Sequence, residues 1–215
     1  MASVCCFCGE TEINFVQSTI RYVIQCGCCD CFQKVDWAIS EAKKSKTLHG
    51  RKEGNFMTTN LILETDIESI KGEENLKIFQ LRETGKSFFC VASCCHSVLL
   101  LNHPYYKGNI VAVIKEGCIQ KGFQNYQEPC IHLMIKDWDK RKGNSIEFET
   151  KNLTNETAVH FGDERDTKES LKKAFSKFDV SESKFEKKGK LSVQDIFDKY
   201  GPSIDLNLKE YELLH

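Results

Sequence analysis

The residues of this sequence that are best suited to chemistry are its cysteines. There are twelve in 215 residues. Most of them stand in three short groups, which are Cys5, Cys6 and Cys8, then Cys26, Cys28, Cys29 and Cys31, then Cys90, Cys94 and Cys95. Close-spaced thiols either form disulfides or bind a soft metal ion such as zinc, which prefers thiolate sulfur in tetrahedral geometry. The clustering therefore indicates a role beyond packing.

The start of the sequence favours metal binding over disulfides. It has neither the basic segment nor the apolar segment of a secretory signal. We therefore expect a soluble protein of the cytoplasm, with the nucleus as the alternative, where thiols stay reduced. Cys118 and Cys130 stand alone, and for them packing as small apolar residues is the simpler interpretation.

The early and late cysteines predict a closed metal site. Cys6 and Cys8 supply two sulfurs, and two of the three residues Cys90, Cys94 and Cys95 complete a set of four. A zinc ion with four protein ligands is of the structural kind. Such a site would join the beginning of the chain to a much later strand.

The middle group predicts an open metal site. Cys26, Cys28 and Cys31 form a C-x-C-x-x-C pattern, so that three sulfurs can converge from one tight loop. The fourth position is left to water or to an incoming thiol, which is the arrangement of a reactive zinc site. We expect one or two zinc ions per chain in total.

Charge and hydropathy exclude two classes of partner. The formal net charge is -1, which argues against a protein that binds nucleic acid through bulk electrostatics. No stretch approaches the roughly 20 apolar residues of a membrane-spanning helix. Neither a nucleic acid nor a membrane is expected as a partner.

The pattern of apolar residues predicts a mainly β body with a helical C-terminal extension, α+β overall. Predicted strands are 12–16, 19–24, 59–63, 76–81, 87–89, 97–101, 109–114 and 131–135, rich in β-branched and aromatic residues. The body is placed at residues 1–140. Residues 141–215 are charged and predict two helices, one capped near Asp166 with Glu169 reaching back and one capped by Ser192.

Four motifs, taken in order, resemble a known family. They are Cys6-Phe7-Cys8-Gly9, Cys26-x-Cys28-x-x-Cys31 followed by Phe32-Gln33-Lys34, Phe89-Cys90 leading to Cys95, and Pro129-x-x-His132. Together they resemble the CENP-V/GFA family of glutathione-dependent formaldehyde-activating enzymes, over about residues 4–140. The resemblance implies the Mss4-like β-tent fold.

The resemblance also implies ligands and an activity. Its two zinc sites would be Cys6, Cys8, Cys90 and Cys95, and Cys26, Cys28 and Cys31. The second is the site that the family links to glutathione. The implied activity is that of a carbon–sulfur lyase, which joins formaldehyde to the glutathione sulfur, or releases it, as S-hydroxymethylglutathione.

The late cysteines depart from the family's C-x-x-C-G pattern. Ser93 occupies the second ligand position counted from Cys90, and Cys95 takes that position only in a shifted alignment. Cys94 is an equally reachable donor. The ligands from this segment stay open among Cys90, Cys94 and Cys95.

Two functions follow from these patterns. In the first, Cys26, Cys28 and Cys31 hold a catalytic zinc that binds glutathione or a related small thiol. In the second, both metals are structural and the protein is a non-catalytic interaction module that recruits a protein partner through its extension. A fourth protein ligand at the middle group, such as Cys29 or a nearby His, would close that site and favour the second.

Overall fold

The computed structural model describes residues 1–49, 51, 53–54, 56–142, 157–183, 186–210 and 212. In chain order the strands of this part are β1 Ala2–Cys5, β2 Glu12–Phe15, β3 Tyr22–Cys26, β4 Thr58–Glu64, β5 Asp66–Lys71, β6 Leu76–Gln80, β7 Phe88–Ala92, β8 Ser97–Asn102, β9 Ile110–Ile114, β10 Ile119–Lys121, β11 Ile131–Leu133, β12 Ala158–His160, β13 Leu191–Ser192 and β14 Ile204–Asp205. The helices are α1 Cys29–Lys44, α2 Ile135–Lys142, α3 Lys168–Lys177 and α4 Val193–Tyr200. None of these helices combines the length and the apolar character that crossing a membrane requires.

The strands form two sheets that share one core. The smaller sheet has the order β10-β1-β2-β5-β13, and the larger has the order β12-β11-β3-β4-β9-β8-β7-β6-β14. Successive side chains of a strand point to opposite faces. On β9, Val111 and Val113 face the core shared with the smaller sheet, whereas Ile110, Ala112 and Ile114 face the core beneath α1. A strand buried on both faces reads as a continuous apolar run, as this one does.

The mainly β, α+β architecture expected from the sequence is confirmed, and the Mss4-like β-tent stays a prediction. Strands β4, β6, β8 and β9 lie within a residue or two of their predicted bounds. The largest departure is α1. None of the predicted strands covers residues 25–58, and the polar residues from Glu41 onward indicated only the end of a short helix followed by a solvated loop. The N-cap of α1 is Cys28, whose sulfur accepts a hydrogen bond from the Cys31 amide, so the usual Ser, Thr, Asp or Asn signal is absent.

Helix α1 covers the outer face of the larger sheet. Its buried side chains include Phe32, Val35 and Ile39. Trp37 is also core, since its ring centroid lies 4.8 Å from that of Phe79 and 5.8 Å from that of Phe89. The packing therefore fixes the orientation of the first turn of α1, which carries Cys31.

The residues after 156 that the structure describes are built into both sheets. Strand β12 pairs with β11, β13 pairs with β5, and β14 pairs with β6. Helix α4 inserts Val193, Ile196 and Phe197 into the core between the sheets. Residues 143–156, within the predicted extension, lie outside the described residues. The described part of the extension thus packs on the body along three strands and one helix.

The caps of the two C-terminal helices differ in how well the sequence predicts them. Ser192 caps α4 as predicted. Helix α3 is instead capped by Thr167, in a reciprocal pair of hydrogen bonds with Ser170. The prediction of Asp166 as the cap is wrong, because its carboxylate accepts hydrogen bonds from the amides of Phe161 and Gly162, at 2.9 and 2.8 Å.

We predict that Ile196→Ala lowers the free energy of unfolding by roughly 2–5 kcal/mol, because it leaves a cavity at a fully buried site of the shared core. Gln194→Ala, on the exposed face of the same helix, should change it by less than about 0.5 kcal/mol. Urea unfolding followed by circular dichroism measures both. A separate early transition for the helices, with the main transition unmoved, would contradict this packing.

Candidate metal centres

Four thiols from two distant hairpins meet in what we call the four-thiol group. It consists of Cys6, Cys8, Cys94 and Cys95, whose sulfurs lie within 4.8 Å of one another. The Sγ–Sγ distances are 3.4 Å from Cys6 to Cys8, 3.4 Å from Cys8 to Cys94 and 3.8 Å from Cys6 to Cys94. Four sulfurs about 2.3 Å from one zinc ion in a tetrahedron lie about 3.8 Å apart. The donors and their spacing fit a closed zinc site.

The backbone turns place these sulfurs. Between β1 and β2 the chain reverses at Gly9, which has a φ of 83° and donates its amide to Cys6 O at 3.0 Å. The Thr11 amide then points at the Cys6 sulfur, 3.1 Å away. The other pair lies in the turn between β7 and β8, where His96 has a φ of 58°. One hairpin belongs to the smaller sheet and the other to the larger, so the four-thiol group joins the two sheets.

A buried arginine supports the second turn. Arg51 donates to Ala38 O of α1 at 2.9 Å and to His96 O at 3.1 Å, and it also donates to the Cys95 carbonyl. Its guanidinium lies 4.9 Å from the centre of the Phe7 ring. Arg51 therefore connects α1, the late turn and the early turn. This role could not be predicted from the sequence, because no local spacing relates Arg51 to either cysteine pair.

The protons of the four-thiol group are unevenly shared. A hydrogen bond with Cys95 and burial raise the pKa of the Cys6 thiol well above its usual range. The same hydrogen bond lowers the pKa of Cys95 to about 3, and burial raises that of Cys94 to about 11. Without a cation the group retains protons, so metal binding must release them.

Cys90 is not part of this group, although the resemblance implies it as a ligand. It lies in β7, where it pairs with Ile78 and Leu100, and its side chain is fully buried in the core between the sheets. Burial alone raises its pKa to about 12. It stands two residues inside the end of β7, roughly 7 Å of strand from the turn. Cys94 takes the place that the resemblance gives to Cys90.

The second centre is the three-thiol group, Cys26, Cys28 and Cys31, whose sulfurs also lie within 4.8 Å of one another. Cys26 ends β3, Cys28 caps α1 and Cys31 lies in the first turn of that helix. Hydrogen bonds from Cys26 and then Cys28 hold the pKa of the Cys31 thiol well below its usual range. The strand end and the helix start thus bring three sulfurs together in six residues.

No fourth His, Cys, Asp or Glu ligand joins the three-thiol group among the residues that the structure describes. Cys29, the candidate that the sequence raises, points elsewhere: its sulfur lies 3.6 Å from Asp30 Oδ1 and 4.0 Å from Glu210 Oε1. Asp30 in turn pairs with Arg82 at 2.5 Å. Among the described residues the candidate donor set of this group is therefore three sulfurs.

Two cations and one tyrosine lie near the three-thiol group. Arg141 donates to Gly27 O at 2.8 Å, between the first two cysteines of the group. Lys34 is fully buried and donates to Asp30 O at 3.2 Å and Ser87 Oγ at 2.8 Å, so it does not reach out to bind a ligand's carboxylate. Burial raises the pKa of Tyr106, and the charges of Cys31 and Cys26 add to that shift.

Other residues singled out in the sequence lie away from both groups. His132 pairs with Gln25 on β3, so it leaves the sheet on the face opposite Cys26, and burial lowers its pKa to about 4. Cys118 is buried, and burial raises its pKa to about 12. Cys130 is half-buried and contacts Val23 O at 3.7 Å. Neither cysteine joins a metal-binding group among the described residues.

Comparison with protein-family models, with curated proteins and with solved structures finds no match to this chain. The CENP-V/GFA resemblance therefore stays a prediction that depends on the cysteine motifs. What the fold and the sites define is a two-sheet protein with two groups of thiols, each able to hold a metal ion.

The two groups can be tested by metal content. Cys94→Ala is expected to lower the metal bound to purified protein by one ion per chain, since it removes one of four donors. Cys90→Ala is the matched control, a buried cysteine of the same segment, and should leave the metal content unchanged. Elemental analysis of both variants measures the metal content. A loss of metal from Cys90→Ala would contradict the placement of Cys94, and not Cys90, in the four-thiol group.

Cys28 has two roles that a second pair of variants separates. Serine is a good helix cap and alanine is not. Both Cys28→Ser and Cys28→Ala should lose the metal of the three-thiol group, but Cys28→Ala should be less stable than Cys28→Ser by about 1 kcal/mol. Urea unfolding in the presence of a chelator measures the difference. Equal stabilities would show that the sulfur does not cap α1.

Proposed function

We propose that this protein is a zinc protein with carbon–sulfur lyase activity on thiol–formaldehyde adducts, S-hydroxymethylglutathione or a related adduct. The three-thiol group would hold the reactive zinc and the four-thiol group a structural zinc. The observation that carries the proposal is the contrast between them, four converging sulfurs in one group and three without a fourth protein ligand in the other, among the described residues.

The chemistry that zinc supplies in such a site is Lewis acidity, which lowers the pKa of a thiol in the fourth position and stabilises it as thiolate. The protein must then tolerate negative charge, because three cysteine thiolates and an incoming thiolate outweigh the two charges of the ion. The N-terminus of α1 lies at this position and favours anions. The guanidinium of Arg141 and the ammonium of Lys34 add two positive charges nearby.

The reaction needs no other cofactor. In the release direction the carbon–sulfur bond of the S-hydroxymethyl group breaks and its electron pair stays on sulfur. The hydroxyl proton passes to water, which leaves a thiolate and formaldehyde. In the reverse direction the thiolate attacks the carbonyl carbon and the oxygen takes up a proton. The protein's part is to hold the sulfur, offset its charge and orient the adduct.

The four-thiol group would act at a distance from this chemistry. Its ligands come from turns of two sheets, and a closed set of protein ligands leaves no position for a substrate. Its proposed role is to hold the hairpins together and so to keep the larger sheet, on which the three-thiol group is built, in one shape.

The test is the exchange of formaldehyde between its hydrate and S-hydroxymethyl adducts, followed by NMR at equilibrium with glutathione and other thiols. The zinc-loaded protein should accelerate exchange of at least one adduct above the rate in buffer. Cys28→Ser should lower that acceleration by at least about 10-fold, because it removes a zinc ligand. Cys29→Ser, a neighbouring cysteine outside the group, should retain it.

Two results would reject the lyase proposal. One is exchange no faster than in buffer for every thiol. The other is an equal effect of Cys28→Ser and Cys29→Ser. Either would favour the alternative function, a zinc-stabilised interaction module in which both metals are structural.

A further inference from the structure

A cavity of about 300 Å³ lies between the body and the C-terminal part of the chain. Six rings line it, those of His103, Tyr105, Tyr106, His160, Phe175 and Phe178. The rings of Tyr105 and Phe178 are stacked, with centroids 5.3 Å apart and planes at 3°. We call this the aromatic cavity. Its volume is within the range of sites for small organic ligands.

The aromatic cavity adjoins the three-thiol group. Leu133, which also lines it, stands directly opposite Cys26 on the neighbouring strand, so both side chains leave the same face of the sheet. The Gly27 amide donates to Leu133 O at 2.8 Å. A side chain on Gly27 would meet Met134 O, another part of the lining segment, at 2.6 Å. The loop that carries the thiols is therefore packed on the wall of the cavity.

The lining does not suit a charged ligand. None of the described residues that line it is Asp, Glu, Lys or Arg. His160 has Asp166 Oδ2 2.8 Å from its Nδ1, so any charge that this ring acquires is paired within the protein. Glutathione carries two carboxylates and an ammonium at neutral pH, and moving unpaired charges from water into an apolar site is costly.

Two of the rings are unusually exposed for their type. Phe175 is 56% exposed and Tyr105 is 41% exposed. Both belong to the aromatic cavity, one on α3 and the other on the body. An apolar ligand seated between them would remove that surface from water, which favours binding.

We propose that the aromatic cavity binds the organic group of the thiol whose sulfur enters the three-thiol group, and that this group is an uncharged aromatic one. The inference depends on the proposed function, since it requires a thiol in the fourth metal position. It changes the expected substrate class from glutathione to an aromatic thiol or its S-hydroxymethyl adduct. It also gives α3 a role, as one wall of a substrate site.

The experiment uses the full chain loaded with cobalt(II), because thiolate binding to cobalt is visible in the absorption spectrum. Three thiols are titrated: benzyl mercaptan, glutathione and 2-mercaptoethanol, which has neither ring nor formal charge. Cys28→Ser supplies the background from the four-thiol group. Benzyl mercaptan should bind at least about 10-fold more tightly than either of the others, because a ring is buried.

Phe175→Ala should remove most of this advantage and leave the binding of 2-mercaptoethanol unchanged. Phe175 is exposed, so its loss should not unfold the protein. The matched control is Tyr126→Ala, since Tyr126 is 45% exposed and does not line the aromatic cavity. That variant should bind all three thiols as the unmodified chain does.

The outcomes separate this proposal from the proposed function. If thiols change the cobalt spectrum but glutathione binds as tightly as benzyl mercaptan, the aromatic substrate class is rejected and the open site stands. The same holds if Phe175→Ala has no more effect than Tyr126→Ala. If no thiol changes the spectrum, the open site itself is rejected, and the aromatic substrate with it.

Discussion

Four sulfurs that lie within 4.8 Å of one another cannot all be anionic unless a cation lies among them. In this protein the four sulfurs come from the turns of two hairpins, one in each sheet. The free-energy cost of bringing the sulfurs together therefore depends on how the two sheets pack. The shared core between the sheets, which contains Cys6 and Cys95, is continuous with the four-thiol group. A bound metal ion would replace the repulsion between the thiolates with an attraction of each thiolate to the ion. The two hairpins and the shared core lie around this site.

The three-thiol group depends on a different constraint, the end of β3 and the start of α1. The sheet fixes Cys26 and the packed helix fixes Cys31, so the loop between them has little freedom. Because the positive end of the helix meets the sulfurs, the same geometry that gathers the thiols also lowers the cost of their charge. Positioning and electrostatics thus have one structural origin.

The sequence predicted the strands and the division of the thiols better than it predicted the contacts between distant segments. Continuous apolar runs such as β9 and the spacing of Cys26, Cys28 and Cys31 are local signals. The choice of Cys94 over Cys90 is not local, because it depends on where β7 ends and turns. The start of α1 could not be predicted, because its N-cap is a cysteine and not the usual Ser or Asp. The pairing of β12, β13 and β14 with the two sheets depends on tertiary contacts that no short pattern records.

The order of the residues along the chain has a consequence for biosynthesis. All sulfurs of the four-thiol group and the three-thiol group belong to residues 6–95, whereas one wall of the aromatic cavity comes from residues 160–178. During translation the thiols leave the ribosome well before that wall does. The thiols of both groups are therefore available to a metal ion before residues 160–178 complete the wall of the aromatic cavity.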